Sequence, residues 1–256
     1  MKAEKRTNWI IGILAAVIAF MDISGIPSAF FVNLKISDVD PFYWTLMVNF
    51  ILIGILAWTV LHFFCPEFHL GFQKQGFGPG FRKYGLWGIA AAVTGFAAFY
   101  IGLPLNAHPS IMKVLTEGVV YYIGVAVVEE LYVRGLLLNL LERLLKKTSN
   151  PTLWAVLLSS LIFGLGHIPG TLGMPACVTA AKVVWTVGMG LYFGMIYKKS
   201  GNLWLPVLMH FLVNLGALPF CFTTFRGYPA VTLIIEVTAY AALGIYSLFV
   251  LRKTDG

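Results

Sequence analysis

The sequence has few charged residues. Asp, Glu, Lys and Arg together make up 11% of its 256 residues, whereas 59% are hydrophobic, and the mean hydropathy is +0.82. A soluble domain carries about a quarter charged residues, so this composition excludes an ordinary water-soluble globule. The apolar runs are long and continuous rather than short and alternating, which favours membrane helices over a transmembrane β-barrel.

Cysteine is also scarce. The three cysteines, Cys65, Cys177 and Cys221, are an odd number and show no C-x-x-C spacing. This pattern predicts neither a disulfide framework nor a cysteine metal site. The sequence also lacks the H-E-x-x-H motif of many zinc proteases.

Positive charge is in excess, with a formal net charge of +7. The Lys and Arg residues lie in short clusters between apolar runs. We therefore expect contacts with anionic membrane lipids and no binding of nucleic acid.

Windows of apolar residues predict an all-α, polytopic membrane helix bundle of about eight transmembrane helices. We expect residues 1–256 to form a single transmembrane domain. The predicted spans are roughly residues 9–31, 43–64, 84–104, 111–141, 152–168, 174–197, 203–220 and 230–251. The fourth is too long for a perpendicular span, so we expect it to tilt or to begin as an interfacial segment around Lys113 and Glu117.

The distribution of Lys and Arg predicts the orientation in the membrane. With eight spans, one side keeps only Lys35 and Arg226 in its loops, with Lys113 near its boundary. The other basic clusters fall on the opposite side, which predicts cytoplasmic termini. We expect the membrane to be the plasma membrane of a bacterium. The basic N-terminus resembles a signal peptide, but the length of the first apolar run favours a retained helix. Asp22 within that run receives no role.

Three charged residues lie in the apolar stretch "VVEELYVRG", residues 127–135. An ionisable group at membrane depth costs at least ~2.5–3.5 kcal/mol, so it usually pairs or carries a function. Glu130 and Arg134 are four residues apart and share a helix face, which predicts an ion pair. Glu129 points about 100° away from Glu130 around the helix. This leaves Glu129 available as a general base or acid.

Two further groups on later spans repeat the four-residue spacing: Phe163 with His167, and His210 with Asn214. Two histidines, an asparagine and a carboxylate on three helices predict a polar cluster that faces the interior of the bundle. Two other ionisable residues, Lys182 and Glu236, form a structural pair or extend towards the membrane surface, and we assign them no function.

The motifs "EELYVR" (129–134), "FGLGH" (163–167) and "HFLVN" (210–214) follow one another on successive helices. This order resembles the CPBP family of intramembrane proteases, also called the Abi or CAAX-protease family. The resemblance covers residues 115–220, which we take as the catalytic core. It implies a bundle of about eight membrane helices around an internal polar cavity.

The resemblance also implies roles for the motif residues. Glu129 activates a water molecule with help from His167, while His210 and Asn214 stabilise the oxyanion of the reaction. Three residues support this arrangement: Glu130, Arg134 and Phe163. We expect no metal requirement, and the alternative is Zn²⁺ held by Glu129, His167 and His210.

The implied activity is that of an endopeptidase acting on a membrane-associated or lipid-modified peptide. In a eukaryote the substrates would be prenylated CAAX tails. In a bacterium they would be precursors of pheromones, bacteriocins or membrane proteins. Two other classes of function stay open: a non-enzymatic scaffold or bacteriocin-immunity protein, and a proton-coupled transporter.

Overall fold

The computed structural model describes residues 8–18, 35–64 and 71–253, and these parts of the chain are helical, with no strand among them. Their helices are α1 (Asn8–Ile18), α2 (Pro41–Phe64), α3 (Phe77–Gly102), α4 (Ile111–Leu144), α5 (Pro151–Thr171), α6 (Ala176–Ser200), α7 (Trp204–Phe222) and α8 (Ala230–Arg252). The prediction of an all-α bundle is confirmed.

Seven of these helices, α2 to α8, are long and apolar enough to cross a membrane. Large apolar side chains such as Ile51, Ile101 and Ile245 point away from the core and are exposed, as expected of surfaces that face lipid. The chain is therefore an integral, multi-pass membrane protein. The predicted first span is described only as far as Ile18, and Asp22 lies outside the described residues.

Helix α4 carries the first motif and departs from regular α-helical geometry. It has 34 residues, so at ~1.5 Å per residue it is longer than the hydrocarbon core of a bilayer is thick. Two of its segments, Thr116–Val120 and Leu131–Leu138, form wider π-helical turns. The second segment begins directly after Glu130, and π turns within α-helices are frequent at functional sites.

Helix α6 lies at the centre of the bundle, and glycines allow its neighbours to approach closely. A Cβ atom at Gly188 would lie 2.2 Å from the carbonyl oxygen of Tyr240 in α8. At Gly190 it would lie 2.9 Å from the Cβ atom of Ser160 in α5. Small residues at such crossings let membrane helices pack backbone to backbone.

The two ends of the bundle differ. At the basic end, the side-chain amide of Asn202 donates to the backbone oxygens of Gln73 and Gln75. These bonds join the loop between α6 and α7 to the loop between α2 and α3. At the other end, the amide of Asp40 donates to Glu117 over 2.8 Å. A cavity opens into the bundle from that second end.

Candidate active site

Glu130 and Arg134 form the predicted ion pair in the interior of the bundle. Arg134 Nη1 lies 2.9 Å from Glu130 Oε1, and both side chains are almost completely buried. The other terminal nitrogen, Nη2, donates to the carbonyl oxygen of Gly190 in α6 over 3.1 Å. The guanidinium also faces the rings of Phe163 and Phe193, whose centroids lie 4.8 and 5.4 Å from its central carbon. The buried guanidinium group therefore lies among a carboxylate, a backbone oxygen and two aromatic rings.

The same carboxylate holds His210 of α7. Glu130 Oε1 lies 2.8 Å from His210 Nδ1, so one oxygen bridges the arginine and the histidine. The ring of Phe193 stacks on the His210 ring, with centroids 4.9 Å apart. These contacts fix the imidazole plane and leave its other nitrogen, Nε2, for the cavity side. Helical spacing predicts the contact of Glu130 with Arg134. It does not predict the contact of Glu130 with His210, because that histidine lies 80 positions further along the chain.

Glu129 projects to a different side of α4 and lines the cavity. Its side chain is 15% exposed, whereas that of Glu130 is fully buried. Glu129 Oε2 lies 3.7 Å from His210 Nε2. The two adjacent carboxylates therefore face opposite nitrogens of one imidazole ring, Glu130 from the interior and Glu129 from the cavity.

His167 lies just beyond the regular α-helical part of α5, which ends at Leu165. Its Nδ1 is 2.8 Å from the backbone oxygen of Phe163, four residues earlier. The Phe163 ring makes edge-to-face contacts with both histidines, with centroids 4.8 Å from His167 and 6.0 Å from His210. His167 also lines the cavity, so the structure brings both predicted histidines to the same space.

Asn214 lies one helical turn beyond His210 on α7 and also lines the cavity. Its amide nitrogen Nδ2 is buried and has no hydrogen-bond partner among the described residues. A buried donor of this kind has unused capacity for a ligand. All four predicted catalytic residues thus contribute to one cavity wall.

The cavity has a volume of about 970 Å³. Its mouth carries charged residues, including Asp38, Lys113 and Arg226. Ser110 at the start of α4 donates hydrogen bonds to Asp38 from its hydroxyl and its backbone amide. These bonds lower the pKa of Asp38 to about 2, so its carboxylate is ionised at neutral pH. The mouth lies at the end of the bundle opposite the basic clusters.

The residues of the zinc alternative, Glu129, His167 and His210, are not placed as a group that could hold a metal ion. Among residues 8–18, 35–64 and 71–253, no group of three or more His, Cys, Asp or Glu side chains is arranged to hold a metal ion. The Nδ1 atoms of His210 and His167 contact a carboxylate and a backbone oxygen, so only the Nε2 atom of each ring is left for a metal ion. Structural and catalytic zinc sites use at least three protein ligands around one point.

Several contributors to the site are not apparent from sequence motifs. Gly190 supplies a carbonyl acceptor and Phe193 a stacking ring, yet both lie in an ordinary apolar helix. Lys182 and Glu236 also line the cavity. The predicted structural pair between them is not a direct ion pair, since the described residues show no contact within 4.0 Å between their charged atoms.

These features describe a polytopic membrane protein with a carboxylate–histidine–asparagine site at membrane depth. Residues 111–216 match the family model described as "Type II CAAX prenyl endopeptidase Rce1-like". The segment includes all three motifs, so the resemblance to the CAAX-protease family is confirmed, and the match supports intramembrane endopeptidase activity. No curated protein and no solved structure matches this chain.

Proposed function

We propose that this protein hydrolyses a peptide bond of a membrane-associated or lipid-modified peptide, using a water molecule activated by Glu129. One observation carries the proposal. Glu129 lies on the cavity wall, 3.7 Å from Nε2 of His210, and Glu130 contacts Nδ1 of the same ring from the interior. A partly exposed carboxylate beside fixed polar groups is suited to general-base catalysis.

In the first step, Glu129 takes a proton from water, and the oxygen of that water attacks the carbonyl carbon of the peptide. His167, on the same cavity wall, assists by orienting the water. The carbonyl π bond breaks and its electron pair moves to the oxygen, which becomes an oxyanion. In the second step, the oxyanion re-forms the carbonyl, the carbon–nitrogen bond breaks, and the proton passes from Glu129 to the leaving amine.

The oxyanion receives hydrogen bonds from His210 and Asn214. When His210 carries both ring protons, Nδ1 donates to Glu130 and Nε2 donates towards the cavity. The buried Nδ2 group of Asn214, which has no partner among the described residues, supplies a second donor. Fixed donors aimed at a developing negative charge are among the largest contributions to enzymatic rate.

This mechanism needs no metal ion. The side chains that support it are Glu130, Arg134 and Phe163, which hold the two histidines through the contacts described above. We infer that the termini are cytoplasmic and that the membrane is the plasma membrane of a bacterium. The cavity then opens on the non-cytoplasmic side, because its mouth lies opposite the basic clusters. Bacterial precursor peptides and prenylated peptides are the substrate classes to compare.

The test compares two glutamates of α4 that both line the cavity, Glu129 and Glu117. The protein is purified into lipid nanodiscs and incubated with a farnesylated CAAX peptide or an apolar precursor peptide without a prenyl group. We expect Glu129→Gln to lower the cleavage rate by about 10²- to 10⁴-fold. The matched variant Glu117→Gln, whose native side chain pairs with Lys113, keeps the wild-type rate.

Thermal unfolding midpoints show whether each variant is folded. Full cleavage by a folded Glu129→Gln protein would contradict the mechanism. Wild-type activity is expected to persist after treatment with a metal chelator. Loss of activity with the chelator, and its return on adding Zn²⁺, would favour the zinc alternative instead.

A further inference from the structure

The polar groups on the cavity wall are poorly accessible. The side chain of His210 is 2% exposed and that of Glu129 is 15% exposed, although both line the cavity. A ligand must approach such groups to hydrogen-bond distance, about 2.6–3.2 Å. Part of the mouth must therefore move before a large ligand can reach them.

Three loops at the mouth are bonded to their neighbours. The loop before α2 is joined to the start of α4, where Ser110 donates to Asp38 from its backbone amide over 2.9 Å and also from its hydroxyl. The loop between α3 and α4 is joined to the loop between α7 and α8, because the amide of Thr224 donates to the side-chain oxygen of Asn106 over 3.0 Å. These three loops therefore hold one another in place.

The segment that leads from the end of α5 into α6, residues 168–175, has no such bonds to another loop. Within the described ranges, each hydrogen bond that it makes has its partner between residues 165 and 179. Its one buried side chain, Thr171, donates to the backbone oxygen of Ile168 in the same segment. Gly170 and Gly173 have open space around them, since a Cβ atom at either would meet no atom within 4 Å. A segment with few bonds to its surroundings opens locally at low cost.

The segment has an inner and an outer side. Met174 lines the cavity, whereas Leu172 is 78% exposed and Ile168 is 36% exposed. Exposed side chains lose few contacts within the protein when the segment moves outwards. His167, directly before the segment, is held to α5 by the 2.8 Å contact of its Nδ1 with the backbone oxygen of Phe163. Outward movement can therefore take Met174 away from the cavity wall and leave His167 in place.

We infer that residues 168–175 form a gate at the mouth of the cavity, and that their outward movement admits large ligands to Glu129 and His210. The other three loops are the fixed part of the mouth. Loops that open and close over a site in this way are common in enzymes. An extended peptide is the class of ligand that would need the gate to open. Because the gate controls entry, it is independent of how Glu129 takes part in catalysis.

The test measures entry into the cavity and needs no peptide. Met189 of α6 lines the cavity and is 5% exposed. A cysteine is placed there, Met189→Cys, in protein whose three native cysteines are replaced by alanine: Cys65, Cys177 and Cys221. The protein is held in lipid nanodiscs and treated with a maleimide that carries a bulky sulfonated dye. The labelling rate then measures how often the gate is open.

Gly173→Ala in this background strains the closed gate. Gly173 has a φ of +84°, a backbone conformation that residues with a side chain rarely adopt, and the added Cβ atom meets nothing within 4 Å. The open form should therefore become more populated, and we expect labelling to be about 5- to 30-fold faster. The matched control is Gly201→Ala at the basic end, where φ is +62° and the space is also open. It should leave the labelling rate unchanged.

Amide hydrogen exchange of the protein without substitutions gives a second measurement. The amides of Ala107 and Ser110 bond to other loops of the mouth. The amides of Thr171 and Met174 bond within the gate. Exchange in residues 168–175 should therefore be at least about tenfold faster than in residues 105–110.

Each outcome bears on the gate. Equal exchange in the two stretches would overturn it. A labelling rate that Gly173→Ala leaves unchanged, or that Gly201→Ala raises equally, would also overturn it. The exchange measurement needs no substitution, so it decides the matter even if Gly173→Ala does not fold. Neither measurement involves cleavage, so failure of the gate can be distinguished from failure of the Glu129 mechanism.

Discussion

Two regions of the molecule meet at one turn of α4, and their charged side chains differ in burial and in bonding. In the interior, Glu130 and Arg134 are buried and bonded to each other, to His210 and to a backbone oxygen of α6. On the cavity wall, Glu129 is partly exposed, Asn214 has an unused donor, and Lys182 has no acidic group within 4.0 Å among the described residues.

The difference indicates that the interior and the cavity wall have different roles. A low-dielectric interior makes each unpaired charge unfavourable, so the interior network contributes mainly to a fixed geometry. The cavity can admit water and a substrate, and polar groups there keep capacity for binding and chemistry. Changes in the interior should therefore mainly alter stability, and changes on the cavity wall should mainly alter catalysis.

The largest effect is expected where the interior network loses its cation. Arg134→Met should lower the free energy of unfolding by about 3–5 kcal/mol, because it leaves the buried Glu130 carboxylate without its arginine partner and with only His210 beside it. Unfolding in mixed detergent micelles measures this change. The double variant Glu130→Gln/Arg134→Met should be less destabilised than Arg134→Met alone. If the double variant is the less stable of the two, the pairing does not explain the burial of these charges.

On the cavity wall, the expected effect is on rate. Asn214→Ala should lower kcat by about 10²- to 10³-fold, the effect of removing one oxyanion donor, with little change in the unfolding midpoint. The matched variant is Asn139→Ala, which removes an asparagine of α4 that bonds to Tyr197 away from the cavity. It should change stability and leave the chemical step intact. The reverse pattern for the two asparagines would contradict the division between regions.

A smaller effect is expected from the backbone side of the interior network. Gly190→Ala should lower the free energy of unfolding by about 1–3 kcal/mol, because the added methyl group overlaps Ser160 and displaces the acceptor of Arg134. Gly54→Ala is the control, since a Cβ atom there meets its nearest neighbour at an ordinary 3.6 Å. Unfolding experiments should show a lower stability for Gly190→Ala than for Gly54→Ala. Equal stability of the two variants would mean that α5 and α6 can move apart to accommodate the added methyl group.

The smallest effect is expected at the stacking ring. Phe193→Leu removes the aromatic face from His210 and Arg134, a contact of about 0.5–1.5 kcal/mol. Because the ring fixes the imidazole plane, kcat should fall by a few-fold while KM stays constant. A change confined to KM would indicate that Phe193 contacts the substrate instead.

Much of this architecture could be predicted from the sequence. Apolar runs indicate membrane helices because the bilayer sets their length. The Glu130–Arg134 contact follows from helical periodicity, because residues four apart share one face. The same periodicity separates Glu129 from Glu130. The convergence of α4, α5 and α7 could be inferred from the polar residues that these three apolar helices carry, and the family resemblance implies it independently.

Other features depend on contacts between distant segments. Spacing gives no information that Glu130 would also hold His210, or that Gly190 would accept from Arg134, because the crossing of α4, α6 and α7 decides both contacts. Lys182 and Glu236 were expected to pair or to reach the membrane surface, and the packing places them on the cavity wall instead. The sequence also contains no signal for the end at which the cavity opens.

The sequence by itself determines the membrane helices, the three motifs and the pairing of charges along one helix, since these depend on local periodicity and on hydrophobic length. Tertiary structure alone decides that Glu130 holds His210, that Gly190 accepts from Arg134 and which polar groups keep unused capacity. The physical reason is that burial and hydrogen bonding depend on how the helices cross.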